Sequence, residues 1–288
     1  MSRTQIMAIL NVTPDSFSDG GALRSLDQVV QAAQEALQAG ADILDIGGES
    51  TRPNATTISP QAESDRVLPA IRAILEAFPR ACISIDTRKA MVAEQALKAG
   101  AQMVNDVSGF QYDPAMAEVC GQAGCPVVLM HSQGTPETMQ HNPCYPHGVL
   151  QAVLQFFERQ IDRAQQAGIS RHNIILDPGF GFGKTLTHNL TLLHQLDTLK
   201  TLGLPILAGT SRKSFLTLGQ QTILPIERDA LTAASLAMAI ERGAKYVRIH
   251  NPATQVPVIR FIEATRGVTP EVLPDPAKYQ DRLCYDGQ

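Results

Sequence analysis

Short apolar segments alternate along the chain with longer stretches in which apolar residues recur every three or four positions. The short segments are not cleanly alternating, which is typical of parallel strands buried on both faces. The longer stretches are predicted amphipathic helices. The eight predicted strands cover residues 6–12, 41–49, 81–87, 103–108, 126–131, 173–179, 205–211 and 246–251.

A helix is predicted after every strand. The first places Leu26, Val29, Val30, Ala33 and Leu37 on one face and stops at a glycine, position 40. The others cover 60–77, 90–99, 113–123, 148–167, 188–202, 227–242 and 252–264. Eight strand–helix units predict an α/β protein with one (β/α)8 TIM barrel domain over 1–288, and a peripheral polar tail at 275–288. On pattern alone, a doubly wound open sheet remains the alternative.

Composition narrows the function classes. The chain has 288 residues, 44% hydrophobic and 18% charged, with a net charge of −4, so nucleic acid is not an expected partner. No apolar run has the roughly 18 residues of a membrane span, and the start does not resemble a signal peptide. Five irregularly spaced cysteines favour reduced thiols and a cytoplasmic location.

Polar residues follow the predicted strands at their carboxyl ends, which is where (β/α)8 barrels build active sites. Arg248 and His250 share one face of the last strand and make a cationic pair suited to phosphate. The segment 177–185 is not a P-loop, because Pro178 stands where that motif needs glycine. The polar strand ends are Asn11, Glu49, Asp86, Asn105, Asp106, His131, Asp177, Arg212, Lys213, Arg248 and His250.

Taken together, these segments resemble the dihydropteroate synthases, the pterin-binding barrels of folate biosynthesis. The matching runs lie in order between residues 6 and 250, and three of them are long enough to be highly specific. They are NVTPDSFSDGG at 11–21, DIGGESTRP at 45–53, IDT at 85–87, ND at 105–106, LMH at 129–131, LDPGFGFGK at 176–184, SRKS at 211–214 and RIH at 248–250.

The resemblance implies a transferase that joins 6-hydroxymethyl-7,8-dihydropterin diphosphate to 4-aminobenzoate and releases diphosphate. It implies that Mg2+ binds through the Asn11 side chain, and that Asn11, Arg248 and His250 bind the diphosphate. It assigns the pterin to Asp86, Asn105, Met130, Asp177, Phe182 and Lys213. It assigns aminobenzoate to Phe17, Thr51, Arg52, Pro53, Phe182 and Ser214. Chemistry then falls to Asp86, Asp177, Lys213, Arg248 and His250, and a homodimer is expected.

Two other functions share parts of this pattern. A pterin-binding methyltransferase that serves a corrinoid protein would use the same Asp86, Asn105 and Asp177, but has no need of a diphosphate site at Lys213, Arg248 and His250. A non-catalytic pterin-binding protein would not need those residues either. The anion-binding residues therefore favour the synthase.

Overall fold

The strands close into a parallel barrel. The computed structural model describes residues 3–12, 26–50, 55–135, 138–220 and 223–268. Each strand pairs in parallel with the next, and the last pairs with the first. The predicted barrel is confirmed, and the open sheet is wrong. The strands are β1 (Gln5–Asn11), β2 (Ile43–Gly47), β3 (Cys82–Asp86), β4 (Met103–Asp106), β5 (Val127–Met130), β6 (Ile174–Asp177), β7 (Ile206–Ala208) and β8 (Ala244–Ile249).

The helices surround the barrel. Where a sequence signal for the end is strong, the prediction is accurate: α2 begins at Pro60, after Ser59 accepts a hydrogen bond from the Ala62 amide. The predicted helix 188–202 is wrong as one element, because it breaks at Gln195 into an α-helix and a 3-10 helix, Leu196–Leu202. The α-helices are α1 (Leu26–Gln38), α2 (Pro60–Ala77), α3 (Ala90–Lys98), α4 (Met116–Ala123), α5 (Val149–Gln166), α6 (Leu186–His194), α7 (Asp229–Glu241) and α8 (Pro252–Thr265).

Glycines after the helices turn the chain back toward the barrel. Gly124 ends α4 in the left-handed region, with φ of 63°, and Gly203 does the same after the 3-10 helix, with φ of 65°. Residues with a side chain rarely adopt this conformation. The repeated helix–glycine–strand order in the sequence therefore reflects backbone geometry.

The barrel interior has an apolar floor made of one buried side chain from each strand. These eight side chains form a cluster separate from the larger core between strands and helices: Met7, Ile43, Cys82, Met103, Val128, Ile175, Leu207 and Tyr246. Side chains alternate between the two faces of a strand. The residues two positions further along each strand therefore point into the barrel just above this floor.

In the part of the chain that the structure describes, no helix is long and apolar enough to cross a membrane. Of the cysteines in that part, Cys82, Cys120 and Cys125 are buried and Cys144 is exposed.

Candidate active site

A mostly polar ring lies directly above the apolar floor. The ring consists of the residues two positions after each floor residue, of which Gly209 directly follows β7 and the others lie in their strands: Ile9, Asp45, Ser84, Asn105, Met130, Asp177, Gly209 and Arg248. Four of the predicted pterin-binding or catalytic residues lie in it, namely Asn105, Met130, Asp177 and Arg248. The polar ring is thus the base of the candidate site.

Arg248 joins two carboxylates in this ring and just above it. Its Nε donates to Asp45 Oδ2 at 2.6 Å, and its Nη2 donates to Asp86 Oδ2 at 2.6 Å. Asn105 Nδ2 donates to the same Asp45 oxygen at 2.9 Å. Asp45 is fully buried, and Asp86 and Asn105 are nearly so. The guanidinium plane is therefore fixed before any ligand binds.

Asp177 and Lys213 form a second corner of the site across Gly209. A methyl group placed on Gly209 would lie 3.5 Å from Asp177 Oδ2 and 3.9 Å from Lys213 Nζ, so glycine leaves these two groups open to each other. Asp177 Oδ1 accepts from the Gly179 amide at 2.7 Å. The Lys213 ammonium lies 4.6 Å from the centre of the Phe182 ring and donates to the Phe180 carbonyl.

Burial perturbs the titration of these groups. It raises the pKa of Asp86 to about 7, against the opposing effect of Arg248. Burial also raises the pKa of Asp177 while Lys213 lowers it. Burial lowers the pKa of Lys213 to about 8, against the opposing effect of Asp177. Such perturbed carboxyl and amino groups at a barrel mouth are characteristic of functional sites.

The residues predicted to bind diphosphate lie around the same mouth. Asn11 pairs with Gly47 in the sheet, and Gly47 pairs with Asp86. A methyl group on Gly47 would lie 3.4 Å from Asn11 Oδ1 and 3.5 Å from Asp86 Oδ2, so the Asn11 oxygen and the Asp86 carboxylate share one corner. His250 lies beside Ser211, whose Oγ is 3.0 Å from His250 Nδ1.

Three of the polar residues at strand ends contact groups outside the candidate site. Glu49 pairs with Arg88 and Lys89, and Lys89 also pairs with Glu63 in a buried network. Asp106 accepts from the Ser108 and Phe110 amides and closes its own turn. His131 is buried against Lys184. The expectation that all the polar strand ends serve one rim is therefore too broad.

Arg212 also serves the fold, because it donates twice to Asp229, at 2.7 and 2.9 Å. Ser214 lies next to Lys213 and is exposed, at the start of a 3-10 helix, Ser214–Thr217. Phe17, Thr51, Arg52 and Pro53, predicted for the aminobenzoate pocket, lie outside the described residues.

Asp45 and Ser84 are site residues that the sequence pattern did not predict. Both are fully buried and face each other across the β2–β3 register, and Asp45 Oδ1 and Ser84 Oγ have no hydrogen-bond partner within the described part of the chain. A signal was present, because a single acidic residue within the apolar strand Ile43–Gly47 needs a partner.

Among the described residues, no group of three or more His, Cys, Asp or Glu side chains is placed to hold a metal ion. Asn11 Oδ1, the predicted Mg2+ ligand, lies beside Gly47 together with the Asp86 carboxylate. This donor set fits an ion held mainly by substrate oxygens and water, as Mg2+ commonly is.

A parallel barrel with opposed carboxylates and cations at its mouth defines a (β/α)8 barrel enzyme that takes a polar small molecule. The sequence profile of the family described as "Pterin binding enzyme" matches residues 7–250. The chain therefore belongs to the pterin-binding enzyme family.

Relatives and solved structures agree with this assignment. A dihydropteroate synthase from Synechocystis sp. is 45% identical over 262 residues, covering 91% of this chain and 90% of the relative. A Yersinia pestis dihydropteroate synthase in a sulfonamide drug complex is 44% identical, with a TM-score of 0.86, covering 92% of this chain and 95% of that one. A Xanthomonas albilineans dihydropteroate synthase in complex with 7,8-dihydropteroate is 36% identical, with a TM-score of 0.82 over 92% and 95% of the two chains.

Proposed function

We propose that this protein is a dihydropteroate synthase. It joins 6-hydroxymethyl-7,8-dihydropterin diphosphate to 4-aminobenzoate and yields 7,8-dihydropteroate and diphosphate. The observation that carries the proposal is that one barrel mouth combines Asp86, Asn105 and Asp177, suited to a heterocycle, with the cations Lys213 and Arg248. The relatives in the previous section, one of them with the product bound, support it.

Buried carboxylates and an amide suit the pterin ring, whose amidine-like edge carries several N–H donors. Asp86 and Asp177 offer acceptor oxygens, and Asn105 offers both a donor and an acceptor. Met130 lies two positions above the barrel floor and provides an apolar contact for the flat ring. Phe182 and Lys213 close the Asp177 side of the pocket.

The reaction requires stabilisation of the departing diphosphate and of the pterin-methyl cation that forms when it leaves. The carbon–oxygen bond to the diphosphate breaks, and its electron pair leaves with the diphosphate, where Arg248 and His250 neutralise the growing charge. The pterin-methyl cation that remains is stabilised by the Asp86 and Asp177 carboxylates. The lone pair of the aryl amine then forms the new carbon–nitrogen bond, and the amine proton is lost to solvent or to diphosphate.

Asn11 would hold Mg2+ through its side-chain oxygen, and the bound ion would supply further neutralisation of charge on the leaving group. The aminobenzoate pocket is assigned to Phe182 and Ser214 together with Phe17, Thr51, Arg52 and Pro53. Phe182 is the member of this set for which the Lys213 contact gives independent support.

The deciding experiment measures diphosphate release by the purified protein. We expect release only when the pterin diphosphate, 4-aminobenzoate and Mg2+ are all present, with dihydropteroate formed in equal amount. Release without aminobenzoate would indicate a hydrolase, and no release would contradict the proposal. Asp65→Asn, at an exposed position on α2, serves as the matched control for carboxylate variants.

We also propose a cytoplasmic homodimer. Apolar side chains are exposed on three consecutive helices, with Leu190 on α6, Leu231 and Met238 on α7, and Phe261 on α8. Phe261 is 70% exposed, and apolar side chains gathered on neighbouring helices in this way are typical of a surface that a partner covers. Sedimentation analysis should give the mass of a dimer, reduced to a monomer in Phe261→Glu. A monomeric wild type at assay concentration would contradict the dimer.

A further inference from the structure

Lys184 is a buried lysine that the proposed reaction does not use. It is 3% exposed, and within the described chain it forms no ion pair within 4.0 Å. Its Nζ instead lies 2.9 Å from His131 Nδ1, 3.2 Å from the His131 carbonyl, 2.9 Å from the Gly179 carbonyl and 3.0 Å from the Phe182 carbonyl. Burial lowers the pKa of Lys184 well below its usual value, and the three carbonyls and the imidazole take the place of the water that would solvate an exposed amino group.

These contacts tie the end of β5 to the turn after β6. Gly179 packs directly against β5, since a methyl group there would lie 2.0 Å from the His131 carbonyl oxygen. A methyl group on Gly183 would likewise lie too close, at 2.4 Å from the Gln133 carbonyl oxygen. Lys184 therefore lies at the centre of a close backbone contact between the segment that follows β5 and the turn that follows β6.

Other side chains fix the same turn from outside. Tyr145 donates to the Gly183 carbonyl at 2.7 Å, and Gln140 donates to the Gly181 carbonyl at 2.6 Å. The Gly181 amide donates to Asn189 at 2.7 Å. These contacts hold the peptide groups of Gly181 and Gly183 in one orientation.

The turn that contains Phe180 and Phe182 also contacts Lys213. The Phe180 carbonyl accepts from the Lys213 ammonium, and the Phe182 ring lies 4.6 Å from it. Lys184 Nζ donates to the carbonyls of Gly179 and Phe182, which lie before and after the segment Phe180–Gly181. Lys184 and Lys213 are therefore linked through the same turn, although Lys184 is not among the residues assigned to the site.

We propose that Lys184 is a positioning residue, which uses neutral His131 as an acceptor at Nδ1 and sets the 179–182 turn so that Lys213 faces Asp177. The inference rests on the proposed function only in taking Lys213 as a pterin contact. Burial and the nearby Lys184 charge lower the pKa of His131 well below its usual value, in agreement with a neutral imidazole. With Nδ1 accepting, the ring proton is on Nε2.

The first test compares Lys184→Met with Lys98→Met by calorimetry with 6-hydroxymethylpterin. Lys98 is an exposed lysine paired with Glu94, so its variant controls for the loss of one lysine. We expect Lys184→Met to bind the pterin at least about tenfold more weakly, because a misplaced contact is costly in a preorganised site. Lys98→Met should bind as wild type does. Equal affinity in Lys184→Met and wild type would overturn the proposal.

Two gentler variants cover the case in which Lys184→Met does not fold. Tyr145→Phe and Gln140→Ala each remove one contact to the same turn. We expect each to weaken pterin binding by about threefold while the melting temperature changes little. Unchanged pterin affinity in both would overturn the proposal.

A ligand-free measurement tests the His131 contact directly. Nitrogen-15 spectra of the wild-type histidines, with His131→Gln used to assign the signal, should show His131 neutral with its proton on Nε2 at pH 6. A charged imidazole, or a proton on Nδ1, would overturn the proposal. This result does not depend on catalysis, so failure of diphosphate release would contradict the proposed function alone.

Discussion

Arg248 forms an ion pair with the fully buried Asp45, with the guanidinium Nε 2.6 Å from a carboxylate oxygen that also accepts from Asn105. Asp45 therefore orients a cation and an amide that the proposed function assigns to two different parts of the substrate. Burial alone would lower the pKa of Arg248, and Asp45 and Asp86 reverse this and raise it above its usual value. The guanidinium stays charged, and its direction is set by Asp45.

Asp45→Asn tests this role. The amide keeps one acceptor oxygen but removes the charge that orients Arg248, so we expect kcat/KM to fall by about 10- to 100-fold. The matched control is Asp42→Asn, three residues earlier, which pairs with Arg3 before β2 begins. The control should lose stability without losing activity. An Asp45→Asn enzyme with wild-type kcat/KM would show that Arg248 needs only Asp86.

Asp177→Asn should cost pterin binding much more than stability. Its carboxylate faces Lys213 across Gly209, and one oxygen remains free of the Gly179 amide. Removing a charge-assisted contact to the ring should weaken binding by roughly 2–4 kcal/mol. Calorimetry with a pterin analogue, alongside chemical denaturation, gives both quantities. Unchanged affinity would remove Asp177 from the site.

The pKa of Asp86 predicts how stability changes with pH. Burial raises this pKa from 3.8 to about 7, so between these values the folded protein binds a proton that the unfolded chain has released. The free energy of unfolding therefore falls as pH rises from about 4 to 7, and this contribution is lost above pH 7.

Asp86→Asn should remove that part of the slope. Chemical denaturation gives the free energy of unfolding at pH 5 and at pH 8. Between these two pH values it should fall by about 1–3 kcal/mol less in Asp86→Asn than in the wild type. Asp65→Asn, at an exposed position on α2, should leave the wild-type slope unchanged. If Asp86→Asn had the wild-type slope as well, Asp86 would be ionised throughout this range, held so by Arg248.

Sequence periodicity predicted the eight strand–helix units, while pattern alone left an open sheet as the alternative to the closed barrel. It was less informative about the site. Asn105 and Asp106 are adjacent, yet only Asn105 faces the barrel interior, and the choice depends on a register that no local pattern specifies. Glu49 and His131 look like rim residues until the positions of Arg88, Lys89 and Lys184 are known. These partners come from neighbouring strands and loops, so only the fold reveals them.

Arg248→Ala tests whether the last strand acts on the leaving group. Arg248 and His250 share a strand face, and a guanidinium fork fits diphosphate oxygens better than a flat neutral ring. We expect the variant to bind Mg-diphosphate more weakly and to lose turnover, by roughly 2–4 kcal/mol if the guanidinium meets charge that develops in the transition state. Affinity for a pterin without diphosphate should change little. The comparison is informative because Arg248 forms an ion pair with Asp86, a residue assigned to the pterin. If the bare pterin loses as much affinity as Mg-diphosphate does, Arg248 acts through Asp86, and β8 belongs to the pterin pocket instead.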